Sequence, residues 1–210
     1  MSHRLACAAL TSVLLIGPSP LASAQSATPD EARVHTAASL GFSKAWDDEG
    51  GIGTGAEVGG TVGWLATDHL ELLASVSTLA HDRPTPFLSW DGRVWMLSAR
   101  VAYAPRARHA RVRPFVAGGL GLMRSSGSIT ERGSTGPFSR LRPEIVDVRN
   151  WTYTGPLWEV GGGAELQFGR MFVRPEAWWT VGMLDRGARI GVPEPPITVT
   201  RIVLGAGVRF

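Results

Sequence analysis

Cysteine is all but missing: Cys7 is the only one among the 210 residues. It falls in an amino-terminal segment that reads as removed on export, so the mature chain is expected to hold no disulfide, no thiolate metal site and no cysteine nucleophile. Lysine is as scarce, Lys44 being the only one, and the positive charge is carried by arginine. Net charge is just +3, and no basic stripe with interleaved aromatics runs along the chain. That argues against nucleic acid as a partner. Beyond the amino terminus there is also no apolar run near the roughly 20 residues of a membrane helix. The remaining way for such a chain to span a bilayer is a closed β-barrel, because backbone groups in lipid must pair with one another. Glycine, at 26, and tryptophan, at 8, are what it has in plenty.

The amino terminus reads as an address. His3 and Arg4 are followed by the apolar run Leu5–Gly17, then Pro18-Ser19-Pro20 and the small-residue site Ala22-Ser23-Ala24. The run is too short to anchor and about the length of a signal h-region. The expected division is a cleaved signal peptide over 1–24 and one barrel domain over 25–210. No apolar region precedes Leu5-Ala6-Cys7, so lipidation there is not expected.

From Ile202 onward every second residue is apolar, through Leu204, Ala206 and Val208 to Phe210. A period of two means a strand with one greasy face and one small or polar face. Eight segments behave this way: 33–42, 55–66, 70–79, 93–103, 114–123, 157–168, 171–183 and 197–210. Each is near the 9–11 or so residues that a tilted membrane strand requires. The fold class is therefore all-β, an eight-stranded antiparallel up-and-down transmembrane barrel. Thr67–His69 and Gly169-Arg170 read as tight turns. Lys44–Thr54, Ala80–Gly92, Arg124–Tyr153 and Leu184–Pro196 read as long loops rich in Gly, Pro, Ser and charge. Such alternation fits short periplasmic turns and long extracellular loops, with Ala104–Arg113 longer than a turn should be. A soluble lipocalin-like barrel would instead put its greasy face inside.

Three motifs resemble the small outer-membrane β-barrel family, the OmpA/OmpX-like eight-stranded proteins. They are Arg113-Pro114-Phe115-Val116-Ala117-Gly118-Gly119-Leu120-Gly121, then Gly161-Gly162-Gly163-Ala164-Glu165 with Val173-Arg174-Pro175-Glu176, and Gly205-Ala206-Gly207-Val208-Arg209-Phe210. The resemblance covers most of the mature chain, and no OmpA-type peptidoglycan-binding domain is expected after Phe210. It implies insertion by the barrel assembly machinery, which reads the last strand and its terminal aromatic, Phe210. It does not fix a substrate.

On the small or polar face stand Glu57, Glu71, Arg100, Glu159, Glu165, Arg174, Glu176, Arg201 and Arg209. Mixed charges in a narrow interior must pair, or their desolvation is costly. They are expected to form a salt-bridge network plugging the lumen, with Glu165, Arg174 and Glu176 on adjacent strands. The alternative is a polar conduit that selects ions. A lipid A-modifying hydrolase would need a Ser, a His and an acid at the membrane rim. Only His81, beside Asp82 and with Ser77 and Ser89 near in sequence, is placed on the outer side. His69 and His109 belong to periplasmic turns, and His35 opens the first strand.

The tryptophans at 46, 64, 90, 95, 151, 158 and 179 read as interfacial girdles, while Trp178 falls on the polar face as a lumen plug. Arg106, Arg108, His109, Arg111 and Arg113 form a basic turn, a solvated loop or a contact for peptidoglycan or a periplasmic acidic partner. The loop Arg124–Tyr153 is the candidate surface for hosts, phage or lipopolysaccharide, because function tends to sit in long loops. The expected protein is an exported, cofactor-free, non-enzymatic monomer of the outer membrane. Its partners would be outer-membrane lipid and lipopolysaccharide, the barrel assembly machinery and a surface ligand met through the loops.

Overall fold

The computed structural model describes residues 33–47, 50–84, 88–106, 110–133, 144–183 and 196–210. The signal-peptide reading of 1–24, the link 184–195 and the turn residues Arg108 and His109 lie outside them.

Eight antiparallel strands close on themselves in sequence order, β1 (Val34–Asp47), β2 (Gly50–Leu65), β3 (Leu70–Pro84), β4 (Leu88–Tyr103), β5 (Val112–Gly133), β6 (Glu144–Phe168), β7 (Met171–Gly182) and β8 (Ile197–Arg209). Closure joins β1 to β8, from His35 opposite Arg209 to Trp46 opposite Thr198. The backbone of Val34 and Phe210 exchanges two hydrogen bonds beyond that ladder. No edge remains in the barrel wall, the condition for a sheet to sit in lipid. The tight link Gly169-Arg170 is a hairpin in which Gly169 takes φ +66 and Arg170 stays on the ordinary side. A positive φ at the first central position is the pattern of a type II′ turn, which suits the twist of paired strands.

The alternation places the greasy face outward. Phe42 is 78% exposed, Leu120 70% and Ile202 69%, values that water would punish and lipid would not. On the β4–β6 wall the outward rows run Tyr103–Val116–Gly162, Val101–Gly118–Val160, Ala99–Leu120–Trp158 and Leu97–Leu122–Pro156. The next row is Trp95–Arg124–Thr154, and beyond it Arg93–Ser126–Thr152. The change from apolar to polar is abrupt. On the β1 wall it falls between Phe42 and Lys44.

The ten residue steps from Tyr103 to Arg93 rise about 3.4 Å each. With a tilt of about 40° they span about 26 Å, and the eight steps to Trp95 at the belt's edge about 21 Å, near the roughly 25 Å apolar band of known barrels. Trp64, Trp95, Trp158 and Trp179 are all outward. Trp158 and Trp179 meet edge to face 4.9 Å apart within the belt, whereas Trp178 is buried inside.

Three of the segments read as loops are largely strand. β1 and β2 are separated only by residues 48–49, β3 continues to Pro84, and β4 starts at Leu88. Arg124–Tyr153 is not one loop: β5 runs on to Gly133 and β6 begins at Glu144, in register from Arg124 opposite Thr154 outward. Ser125–Ser128 lack apolar alternation, and their ladder is held by β4 on one side and β6 on the other. Beyond the barrel β3 to β6 therefore stand up as a four-stranded extension.

Candidate functional site

The interior is stacked in layers. Nearest the extension lies an apolar plug of Ala45, Leu79, Val94, Met96, Met123, Leu157, Ile197 and Val199, with the half-buried Tyr153 against it. These inward residues follow the strand period, but here the usual sense is reversed: the apolar side chains face the lumen while Lys44, Arg93 and Arg124 face out, so an apolar face does not by itself mark the outside. Gly182 makes the room: a Cβ there would come within 2.5 Å of the Met123 sulfur.

Below the plug is a first ionic layer. Arg201 on β8 donates to Glu57 of β2 at 2.9 Å and, through its other η nitrogen, to Glu159 of β6. Arg100 of β4 donates Nε to Glu159 at 2.5 Å and Nη2 at 3.2 Å. Thr180 donates to the same carboxylate at 3.4 Å. Ser75 and Ser98 share a 2.7 Å hydrogen bond beside them. Glu159 thus binds two guanidiniums and a hydroxyl, the charge-assisted pairing that a buried carboxylate needs.

Trp178 separates this layer from the next. The Arg100 guanidinium sits 4.0 Å from its ring centre, within cation–π range, and its indole N–H donates to Glu176 at 2.6 Å. The ring fits because its cross-strand partner is Gly161, where a Cβ would lie 2.6 Å from the indole. Leu73, Ala102, Ala104, Phe115, Ala117 and Val203 pack around it.

The second ionic layer, near the short turns, centres on Glu71. His35 Nε2 lies 2.9 Å from its carboxylate, and Arg113 and Arg174 each donate at 3.3 Å. Arg174 also lies 2.7 Å from Glu176 and stacks 3.9 Å over Phe115. Glu165 is held by Arg209 and by Gln167 at 2.8 Å. His35 meets Phe172 edge to face at 5.3 Å, opposite Gly63, which leaves space for the imidazole.

All nine sequence-selected ionisable residues stand on the inward face. Sequence reading missed two members. His35 looked like a strand opening and Arg113 like part of the basic turn, yet both are buried and reach Glu71. Their parity on β1 and β5 was the available signal. Arg106 and Arg111 do stay exposed at the turn. With Arg113 included, the inward carboxylates and guanidiniums are five and five, so the described lumen is neutral when its histidines are.

Of the residues a hydrolase would need, Ser77 and His81 are not at the rim, and the side chains of Asp82 and Ser89 lie outside the described residues. Ser77 and His81 are inside the barrel, with the His81 ring packed over Gly92, and Ser77 accepts from Arg201 at 3.4 Å. No group of three metal-ligating side chains occurs among the described residues. A polar cavity of about 30 Å³, bordered by Glu57, Ser75, Arg100, Arg174 and Trp178, lies between the ionic layers. It has room for roughly two waters.

No protein-family model matches this sequence, and no curated protein matches it in sequence. Solved structures do match. The crystal structure of Neisserial surface protein A aligns with a TM-score of 0.61 at 14% identity, over 84% of this chain and 97% of that one. Ail, the attachment invasion locus protein of Yersinia pestis, aligns with a TM-score of 0.54 at 14% identity, over 85% and 99%. A second structure of Ail, in complex with the heparin analogue sucrose octasulfate, gives 0.54 at 12% identity. With the closed strand order, the outward apolar belt and these alignments together, this chain has the fold of the small eight-stranded outer-membrane β-barrels.

Proposed function

We propose that this chain is a non-conducting outer-membrane barrel that works at the cell surface through the extension of β3 to β6. The observation that carries this reading is the filled lumen: an apolar plug, two ionic layers and a tryptophan lie in series along it. An eight-stranded interior is just wide enough for such side chains. With no path for solute, the part left to act is what projects beyond the belt. β5 and β6 are 22 and 25 residues long, against 12 and 13 for β7 and β8. In this orientation the short turns and Phe210 face the periplasm, and β8 is the strand that the assembly machinery engages. Export through a cleaved signal peptide, a monomeric state and contact with lipopolysaccharide belong to the same reading.

The neighbours whose fold it shares are described as a surface protein and an attachment invasion locus protein, which supports a surface-contact role. No catalytic role is assigned, since Ser77 and His81 are buried in the lumen. The test is planar-bilayer recording of the refolded protein. The reading expects no unitary steps from the wild type. Stable steps from most insertions would replace it with the narrow solute channel, for which the polar cavity would be the conduit.

A further inference from the structure

On the outward face, at the edge of the apolar belt, the register sets Arg124 directly opposite Trp95 on β4 and Thr154 on β6. One row further out, Arg93 stands opposite Ser126, and Ser126 opposite Thr152. Arg93 and Arg124 are therefore diagonal neighbours, about 7–8 Å apart at the backbone by ordinary sheet geometry. Both are exposed. Every buried arginine among the described residues has a carboxylate within ion-pair distance, while these two have none among the described residues. The described acid nearest to them on this face is Asp91, one row further out on β4 and two residues from Arg93, with no ion pair to either arginine.

Two like charges side by side repel, and the cost is relieved by an anion between them. Guanidiniums bind phosphate oxygens in a forked geometry, and the hydroxyls of Ser126, Thr152 and Thr154 supply further donors. Trp95 marks the level at which headgroups begin. We infer that Arg93, Arg124 and the adjoining hydroxyls form a site for a phosphate on the headgroup of a lipid in the leaflet around the extension. The inference rests on the outer-membrane reading above, and the occupant it commits to is a phosphorylated glycolipid of that leaflet.

The test is native mass spectrometry on barrel refolded in detergent micelles, offered lipid A carrying both phosphates or chemically dephosphorylated lipid A. The wild type is expected to retain the phosphorylated form about tenfold better. The Arg93→Gln/Arg124→Gln double variant is expected to hold both forms alike. An Arg111→Gln control at the opposite rim should behave as wild type, and excess inorganic phosphate should not strip the lipid. Equal retention of the two lipids by wild type, or undiminished preference in the double variant, would overturn the site. Displacement by inorganic phosphate would overturn the lipid as its occupant. Unboiled samples run faster on gels when the barrel has closed. If that shift is missing in wild type, the barrel reading fails rather than the site; if present in both proteins, the lipid comparison stands on its own.

Discussion

Arg201 and Glu57 lie 2.9 Å apart across the lumen, and the same guanidinium also engages Glu159. One side chain thus ties β8 to β2 and β6, strands that are not neighbours in the wall. Its removal leaves two carboxylates buried among fewer cations. Arg201→Gln is expected to destabilise the barrel by about 3–5 kcal/mol, because an uncompensated buried charge costs more than the pair contributes. Adding Glu57→Gln should restore part of that loss. Urea unfolding in lipid vesicles, followed by tryptophan fluorescence, measures both.

Gly63 is a glycine because His35 fills the space opposite it: a Cβ would approach the imidazole to 2.0 Å. Gly63→Ala should cost about 1–3 kcal/mol, as overpacking does. In a His35→Ala background the same change should cost far less, because every close contact of that Cβ is with the imidazole ring, and Glu71 keeps Arg113 and Arg174 in that background. A double-mutant cycle on unfolding midpoints reads the coupling. Equal costs in the two backgrounds would place the strain elsewhere.

Leu120 is in the middle of the apolar belt and 70% exposed, whereas Thr154 is in its first polar row. If lipid covers that face, Leu120→Arg costs about 2–4 kcal/mol and Thr154→Arg about 0–1. In a water-soluble barrel both would be close to neutral. Unfolding in vesicles compares them directly.

Trp178 stands between the ionic layers, against Arg100 on one side and Glu176 on the other. Trp178→Ala is expected to cost about 3–5 kcal/mol through the cavity it leaves. The plug around Met123 and Leu79 remains in place, so bilayer recordings should stay silent. Conductance from this variant alone would mean that the tryptophan, and not the plug, closes the lumen.

Where one face is apolar and the other polar, the sequence was legible. The pairs Glu57/Val58, Arg100/Val101 and Glu159/Val160 fix strand parity, and with it the strand count and the ionic residues. Where that pattern reverses, or both faces are alike, it was not. Leu79, Met96, Met123 and Val199 point inward near the end of the belt, where the outward row has turned to Arg124, Thr198 and Thr200, so an apolar residue there no longer marks the outer face. Ser125–Ser128 are polar or small on both faces, and their strand conformation comes from the flanking ladders. His35 and Arg113 sit where a strand meets a turn, so charge there looked like solvation. The glycines carry a further signal that needs the register: Gly63 faces His35 and Gly161 faces Trp178.

The most direct test of the account is cell fractionation of the expressed protein, with unboiled and boiled samples of the membrane fraction run side by side. The protein is expected in the outer-membrane fraction, with the unboiled band running faster, as a closed barrel does. Recovery in the soluble periplasm with no difference between the two lanes would contradict it.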